Sequence, residues 1–164
     1  MQMLAHGIST GALFILAGAL QERLHTRDMR RMGGLWETVP KLGGITLFFS
    51  MASLGMPGLA NFIGEFLVLL GTYHTSVPLA VAATVGIVGA AIYSLILIQR
   101  TFHGHNTEGW KVPDLSRPAL ALLGVMMVLQ LWMGLHPQPV LNTAYPALIS
   151  LQAIVDGSQT VSAR

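Results

Sequence analysis

Cysteine is absent from the 164 residues, which excludes disulfides, thiolate-held zinc and cysteine-held iron–sulfur clusters within the chain and leaves no mark of redox compartment. Charge is almost as scarce. Asp, Glu, Lys and Arg supply 10% of residues against 52% hydrophobic ones, where a soluble domain carries about 25% charge. With a mean hydropathy of +0.60, the composition is that of an all-α membrane protein. Also missing are a phosphate-binding glycine loop, a nucleophile elbow and paired catalytic carboxylates, so no self-contained active site of the soluble-enzyme type is expected. The sequence pI near 9.4 does not point to nucleic acid. The basic residues sit in loops flanking apolar runs, without a continuous patch or interleaved aromatics.

What is present is a series of long apolar runs. Met3 to Leu20, Leu42 to Tyr73, Val77 to Gln99 and Ala119 to Leu135 are each long enough to cross a hydrocarbon core about 30 Å thick. The first is no signal peptide, because it lacks a basic n-region and carries His6, Ser9 and Thr10 where an apolar core belongs. The second is too long for one straight helix, which would reach about 48 Å at ~1.5 Å per residue, and Pro57-Gly58 interrupts it. Basic residues gather before it (Arg23, Arg27, Arg30, Arg31, Lys41) and after the third run (Arg100, Lys111, Arg117). Two crossings would put these clusters on opposite sides of the membrane, whereas one discontinuous crossing puts both inside, as the positive-inside rule requires.

The expected architecture is therefore four transmembrane helices, the second discontinuous, in a single membrane domain over residues 1–164. Both basic loops are then cytoplasmic and the C-terminus lies outside. Beyond the last span, Leu141, Ala144, Leu148, Leu151 and Val155 recur at helical spacing and predict an amphipathic helix on the outer interface, with a frayed tail from Gly157. Trp36, Trp110 and Trp132 fall near the expected interfaces. Two small-residue stripes, Gly7, Gly11 and Gly18, and Gly86, Gly89 and Ala90, predict close helix packing.

Chemistry concentrates at one residue. Glu65 is the single formal charge between Leu42 and Tyr73, and it follows the Pro57-Gly58 break. An acid at bilayer depth costs roughly 3 kcal/mol on insertion scales and is usually retained for a function. Burial opposes its charge, while the amides of a half-helix that Asn61 could cap favour it; that balance suits a group that loads and releases a proton. The alternative is a static acid satisfied by a neighbouring helix. His6, Ser9 and Thr10 share a helix face at i, i+3 and i+4, and either a proton relay or an interhelical hydrogen bond would account for them. Lys41 either lines a path or snorkels to the headgroups. His103 and His105 form an H-x-H pair without a third ligand and read as loop histidines.

Several stretches together resemble a known family: Leu4-Ala5-His6-Gly7-Ile8-Ser9-Thr10-Gly11, the loop from Glu22-Arg23 through His25-Thr26-Arg27-Asp28 to Met32-Gly33-Gly34-Leu35, and Ser53-Leu54-Gly55-Met56-Pro57-Gly58 followed by Asn61-Phe62-Ile63-Gly64-Glu65-Phe66. They resemble the antiporter-like membrane subunits of bacterial NADH-quinone oxidoreductase, respiratory complex I, of the M type whose mitochondrial counterpart is chain 4. The resemblance implies a proton-pumping subunit with fourteen membrane helices in inverted repeats, of which this chain matches the last four. It assigns Glu65 to the acid on the second broken helix and His6 to a central-axis histidine.

The family's other proton carriers lie on helices absent here. The implied partners are the missing N-terminal helices, the other membrane-arm subunits and the lipid of a bacterial inner membrane; no cofactor is implied in this chain. Redox chemistry on NADH and quinone would belong to partner subunits. Subunits of sodium/proton antiporters and membrane-bound hydrogenases share the fold, but many have Lys where this chain has Glu65, which favours the M type. A purely structural membrane-arm piece is the reading from another class, and a membrane hydrolase would need a nucleophile and base that are not found.

Overall fold

The computed structural model describes the backbone of residues 1–162 and the side chains of residues 1–154. Among the described residues the chain forms six helices: α1 (Gln2–Leu24), α2 (Pro40–Ser53), α3 (Ala60–Thr75), α4 (Val77–Phe102), α5 (Arg117–Leu135) and α6 (Gln138–Ser162). Proline stands in the first turn of α2, α4 and α5, where its missing amide costs nothing and its fixed φ is already helical. α1 ends on His25 in the left-handed region at φ 52°, its amide returning to Gln21 O.

α1, α4 and α5 are each long and apolar enough to cross a membrane. α2 and α3 have 14 and 16 residues, short of the ~20 that a crossing needs. Packing shows that they make one crossing between them. The start of α2, at Leu42, lies with Ile98 and Phe102 at the end of α4 and with Leu20 and Leu24 at the end of α1. At the other extreme α3 passes into the start of α4 through Ser76 alone. α2 and α3 together thus run antiparallel to the whole of α4, as the discontinuous-helix expectation requires.

Both long loops consequently close over the same end of the bundle, and they are knitted together. Gly34 N donates to His103 O and Trp36 N to Phe102 O. Thr38 Oγ1 donates to Trp110 O, and Trp110 Nε1 to Arg31 O. Arg23 reaches Pro113 O at 2.7 Å. The carboxylate of Asp114 accepts the amides of Lys41 and Leu42 at 2.9 and 3.1 Å, so the N-terminus of α2 is capped from a loop more than seventy residues away. Trp132 sits exposed in the last turns of α5, at the opposite end.

The outer surfaces of α3, α4 and α5 expose Phe66, Val68, Val81, Val85, Val88, Val125 and Val128, an apolar coat suited to lipid. α6 is longer than expected and passes through Gly157 to Ser162 as helix, where a frayed tail was expected. Residues 163–164 and the side chain of Val155 lie outside the described residues. Val140 in its first turn packs with Ala5, Ala60 and Met133; Tyr145, Leu148, Leu151 and Ile154 beyond it are exposed.

The glycine stripes are not covered by another element of this chain. A Cβ at Gly7, Gly18, Gly86 or Gly89 would meet nothing within 4 Å, and one at Gly11 only the tip of Met126. The close approaches are elsewhere. Gly43 lies under Trp36 and Phe102, Gly64 under Gln2, and Gly134 against the backbone of Gly58 and Leu59. Spacing identifies a smooth helix face, but which smooth face another element covers is set by the packing.

Candidate functional site: the broken helix and Glu65

α2 ends in a Schellman motif: Met56 N bonds Met51 O at 3.2 Å and Gly55 N bonds Ala52 O at 3.1 Å, with Gly55 left-handed at φ 69°. A turn follows at once. Leu59 N returns to Met56 O, with Pro57 and then Gly58 at φ 95° in the two central positions, the arrangement of a type II turn. α3 then starts at Ala60, so the regular i to i−4 ladder is interrupted between Leu54 and Asn61 as the sequence predicts. Pro57 and Gly58 do mark the break, but Gly55 terminates the first half.

Glu65 stands in the second turn of α3, and helical side chains lean toward the N-terminus. Its carboxyl therefore folds back onto the break. A Cβ at Gly55 would lie 2.9 Å from the Glu65 carboxyl carbon and overlap Oε2, so the bare backbone of Gly55 is the seat of the acid. The other flank is Gln2 of α1, whose Nε2 is 3.5 Å from Glu65 Oε1. Gln2 escapes sequence reading because a single amide at the start of an apolar run looks like an interface residue. The available signal is its i, i+4 spacing to His6.

Asn61 does not cap α3; the N-cap position is Leu59, without a side-chain bond. Asn61 is instead fully buried. Its Nδ2 donates to Ser9 Oγ at 3.0 Å and to Ala52 O at 2.8 Å, tying α1, the end of α2 and the start of α3 into one joint. The geometry favours this because Asn61 already lies inside the first turn, where its side chain faces the junction. Ser9 is therefore also buried and donates to His6 O at 3.1 Å. From α5, the buried Gln130 donates to Ala5 O at 2.7 Å. Sequence reasoning passed over Gln130, a lone amide in an apolar span.

The polar face of α1 is thus divided. Ser9 turns inward to Asn61, while Gln2, His6 and Thr10, four residues apart, share the other stripe. His6 is exposed on this chain, and its Nε2 is 3.1 Å from Thr10 Oγ1. His6 and Thr10 open on a groove of about 720 Å³ between α1, α2 and α4, whose wall includes Thr46, Ser50, Ser53, Ser94 and Thr101. Lys41 is exposed at the loop end of α2 and does not line the groove. His103 stacks on Trp36 at 5.9 Å, and no cluster of three or more His, Asp or Glu side chains that could hold a metal occurs among the described residues.

Comparison with known proteins places the chain in a family. Residues 1–92 match the family model described as NADH:quinone oxidoreductase/Mrp antiporter, TM. NADH-quinone oxidoreductase subunit M of Pseudomonas aeruginosa is 47% identical over 151 residues, and that of Escherichia coli K12 is 42% identical over 154. Each alignment covers 92% of this chain and 30% of the relative. Among solved structures, a chain of respiratory complex I from Thermus thermophilus with bound NADH superposes with a TM-score of 0.79 at 38% identity, over 87% of this chain and 30% of that one. The chain spans about 30% of the length of the curated relatives it matches. Sequence and overall fold agree, and the chain belongs to the NADH:quinone oxidoreductase/Mrp antiporter family of membrane proteins.

Proposed function

We propose that this chain is the Glu65-bearing part of a proton-translocating, antiporter-like subunit in the membrane arm of a bacterial NADH-quinone oxidoreductase. It resides in the cytoplasmic membrane, works with further membrane-arm subunits and the remaining helices of its own subunit, and carries no redox cofactor. The observation that carries this reading is the seat of Glu65: one acid inside an apolar crossing, held on the bare backbone of a helix break. Half-helix termini at such breaks supply oriented amides and carbonyls at the depth where an ion must be handled. The relatives named subunit M add support.

In this reading protons move along the stripe of α1. The groove, mostly apolar but carrying the hydroxyls of Thr46, Ser50, Ser53 and Ser94 on its wall, brings water and protons to Thr10 and His6, whose imidazole both accepts and donates. Glu65, whose carboxyl group lies beside Gln2 at the end of the same stripe, is the group that loads and releases. Ser9 serves the joint with Asn61, and Lys41 the loop end of α2.

The test is Glu65→Gln, nearly isosteric and still hydrogen-bonding but unable to ionise. Quinone reduction and proton uptake in vesicles, normalised to assembled complex, are expected to fall together by about tenfold or more, with Glu65→Asp retaining part of both. A Gln variant that assembles and pumps at the parental rate makes Glu65 a structural acid. The family description also names Mrp antiporters, so a cation/proton antiporter is the second reading, and a requirement for sodium in the same vesicles would favour it.

A further inference from the structure

α1 meets α3 with almost no side chain between them at Gly64, the residue before Glu65. A Cβ there would stand 2.7 Å from Gln2 Cα and 2.8 Å from Gln2 Cβ. This contact delivers the Gln2 carboxamide to the acid. Its Nε2 lies 3.5 Å from Glu65 Oε1, at the outer limit of a hydrogen bond, and its Oε1 is buried without a hydrogen-bond partner among the described residues. Asn61 and Gln130 also bury a free amide oxygen. Both, however, spend their NH2 groups on Ser9 and on helix carbonyls. Gln2 alone among the three addresses a titratable group. That oxygen rests against Gly64, on the far side of the amide from Glu65, and the O–H that the carboxyl acquires on protonation is a donor that a turn of the amide would bring to it.

We propose that Gln2 is the positioning residue of Glu65, offering its NH2 to the carboxylate and its buried Oε1 to the carboxylic acid, so that the acid stays seated on Gly55 in both states. The proposal rests on Glu65 being the proton-loading group. In the unloaded state Gln2 Nε2–H donates to Glu65 Oε1. When a proton binds the carboxyl group, the new O–H donates to Gln2 Oε1 after the amide or carboxyl rotates. Gln2 neither gains nor loses a proton. Gly64 is required because any side chain there would hold Gln2 away.

Gln2→Met keeps the length of the side chain and removes both polar atoms. In the assembled membrane complex, the infrared C=O band of protonated Glu65, identified by its loss in Glu65→Gln, is expected at a hydrogen-bonded frequency and should move to higher frequency in Gln2→Met. Coupled turnover should fall about tenfold, the equivalent of one charge-assisted hydrogen bond, whereas Gln2→Met added to Glu65→Gln should change nothing further. If the parental band already stands at the free-carboxyl frequency, the proposal fails without any Gln2 variant being needed. It also fails if Glu65→Gln is inactive while Gln2→Met leaves band and turnover unchanged. Parental turnover in Glu65→Gln is the separate result that removes the proton-loading reading itself.

Discussion

Glycine does at this site what polar residues do elsewhere: it decides where the acid rests. Gly55 has two reasons to lack a side chain, its left-handed φ of 69° and the carboxyl group of Glu65 occupying the place of its Cβ. An alanine in the left-handed region costs about 1–2 kcal/mol, and the displaced carboxyl adds to that. Gly55→Ala is therefore expected to lower the thermal stability of the purified complex by several degrees and to cost more activity than stability, because it moves Glu65 directly; activity normalised to assembled complex separates the two effects. Gly58, also left-handed but with nothing within 4 Å of its Cβ position, should lose stability on the same substitution while keeping more turnover. Glu65 and His6 were legible in the sequence because a lone acid and a histidine stand out in apolar runs. Gln2, Asn61 and Gln130 were not, since amides in a membrane helix declare nothing until their partners are known.

At the scale of elements, the break in the second crossing is held from outside as much as from within. Gly134 of α5 lies against the backbone of Gly58 and Leu59, Asn61 ties Ser9 to Ala52 O, and Asp114 caps α2 from the far loop. Asp114→Ala removes the acceptor of two first-turn amides and is expected to destabilise by about 0.5–2 kcal/mol. Hydrogen exchange should rise locally at Lys41 and Leu42, and Asp114→Asn should restore much of the protection because an amide oxygen still accepts. Unchanged exchange at those two amides would mean that water caps the helix equally well. The proline at the break announced the interruption in the sequence, but the Schellman end at Gly55 and the role of Asn61 depend on neighbours that local pattern does not name.

For the whole molecule, the two basic loops at one end of the bundle fix how the chain sits in the membrane. By the positive-inside rule that end is expected on the cytoplasmic side. In the assembled complex a cysteine placed at the exposed Thr107 should react with a membrane-impermeant thiol reagent from the cytoplasmic side only, and one at the exposed Asn142 from the outer side only. These 164 residues contribute no cysteine of their own to the labelling. Labelling of both from one face would overturn the single discontinuous crossing.

Composition, run length and the distribution of Lys and Arg by themselves determined a membrane protein of four crossings with a break before one acid within an apolar run, because transfer to hydrocarbon is governed by residue type along the chain and needs no knowledge of neighbours. The tertiary structure alone decided which glycines are covered, that Ser9 faces Asn61 while Gln2 joins His6 and Thr10, and that Glu65 rests between Gly55 and Gln2. Those are properties of contact between helices far apart in sequence. Each helix offers several equally smooth or equally polar faces, and only the packing of all of them selects one.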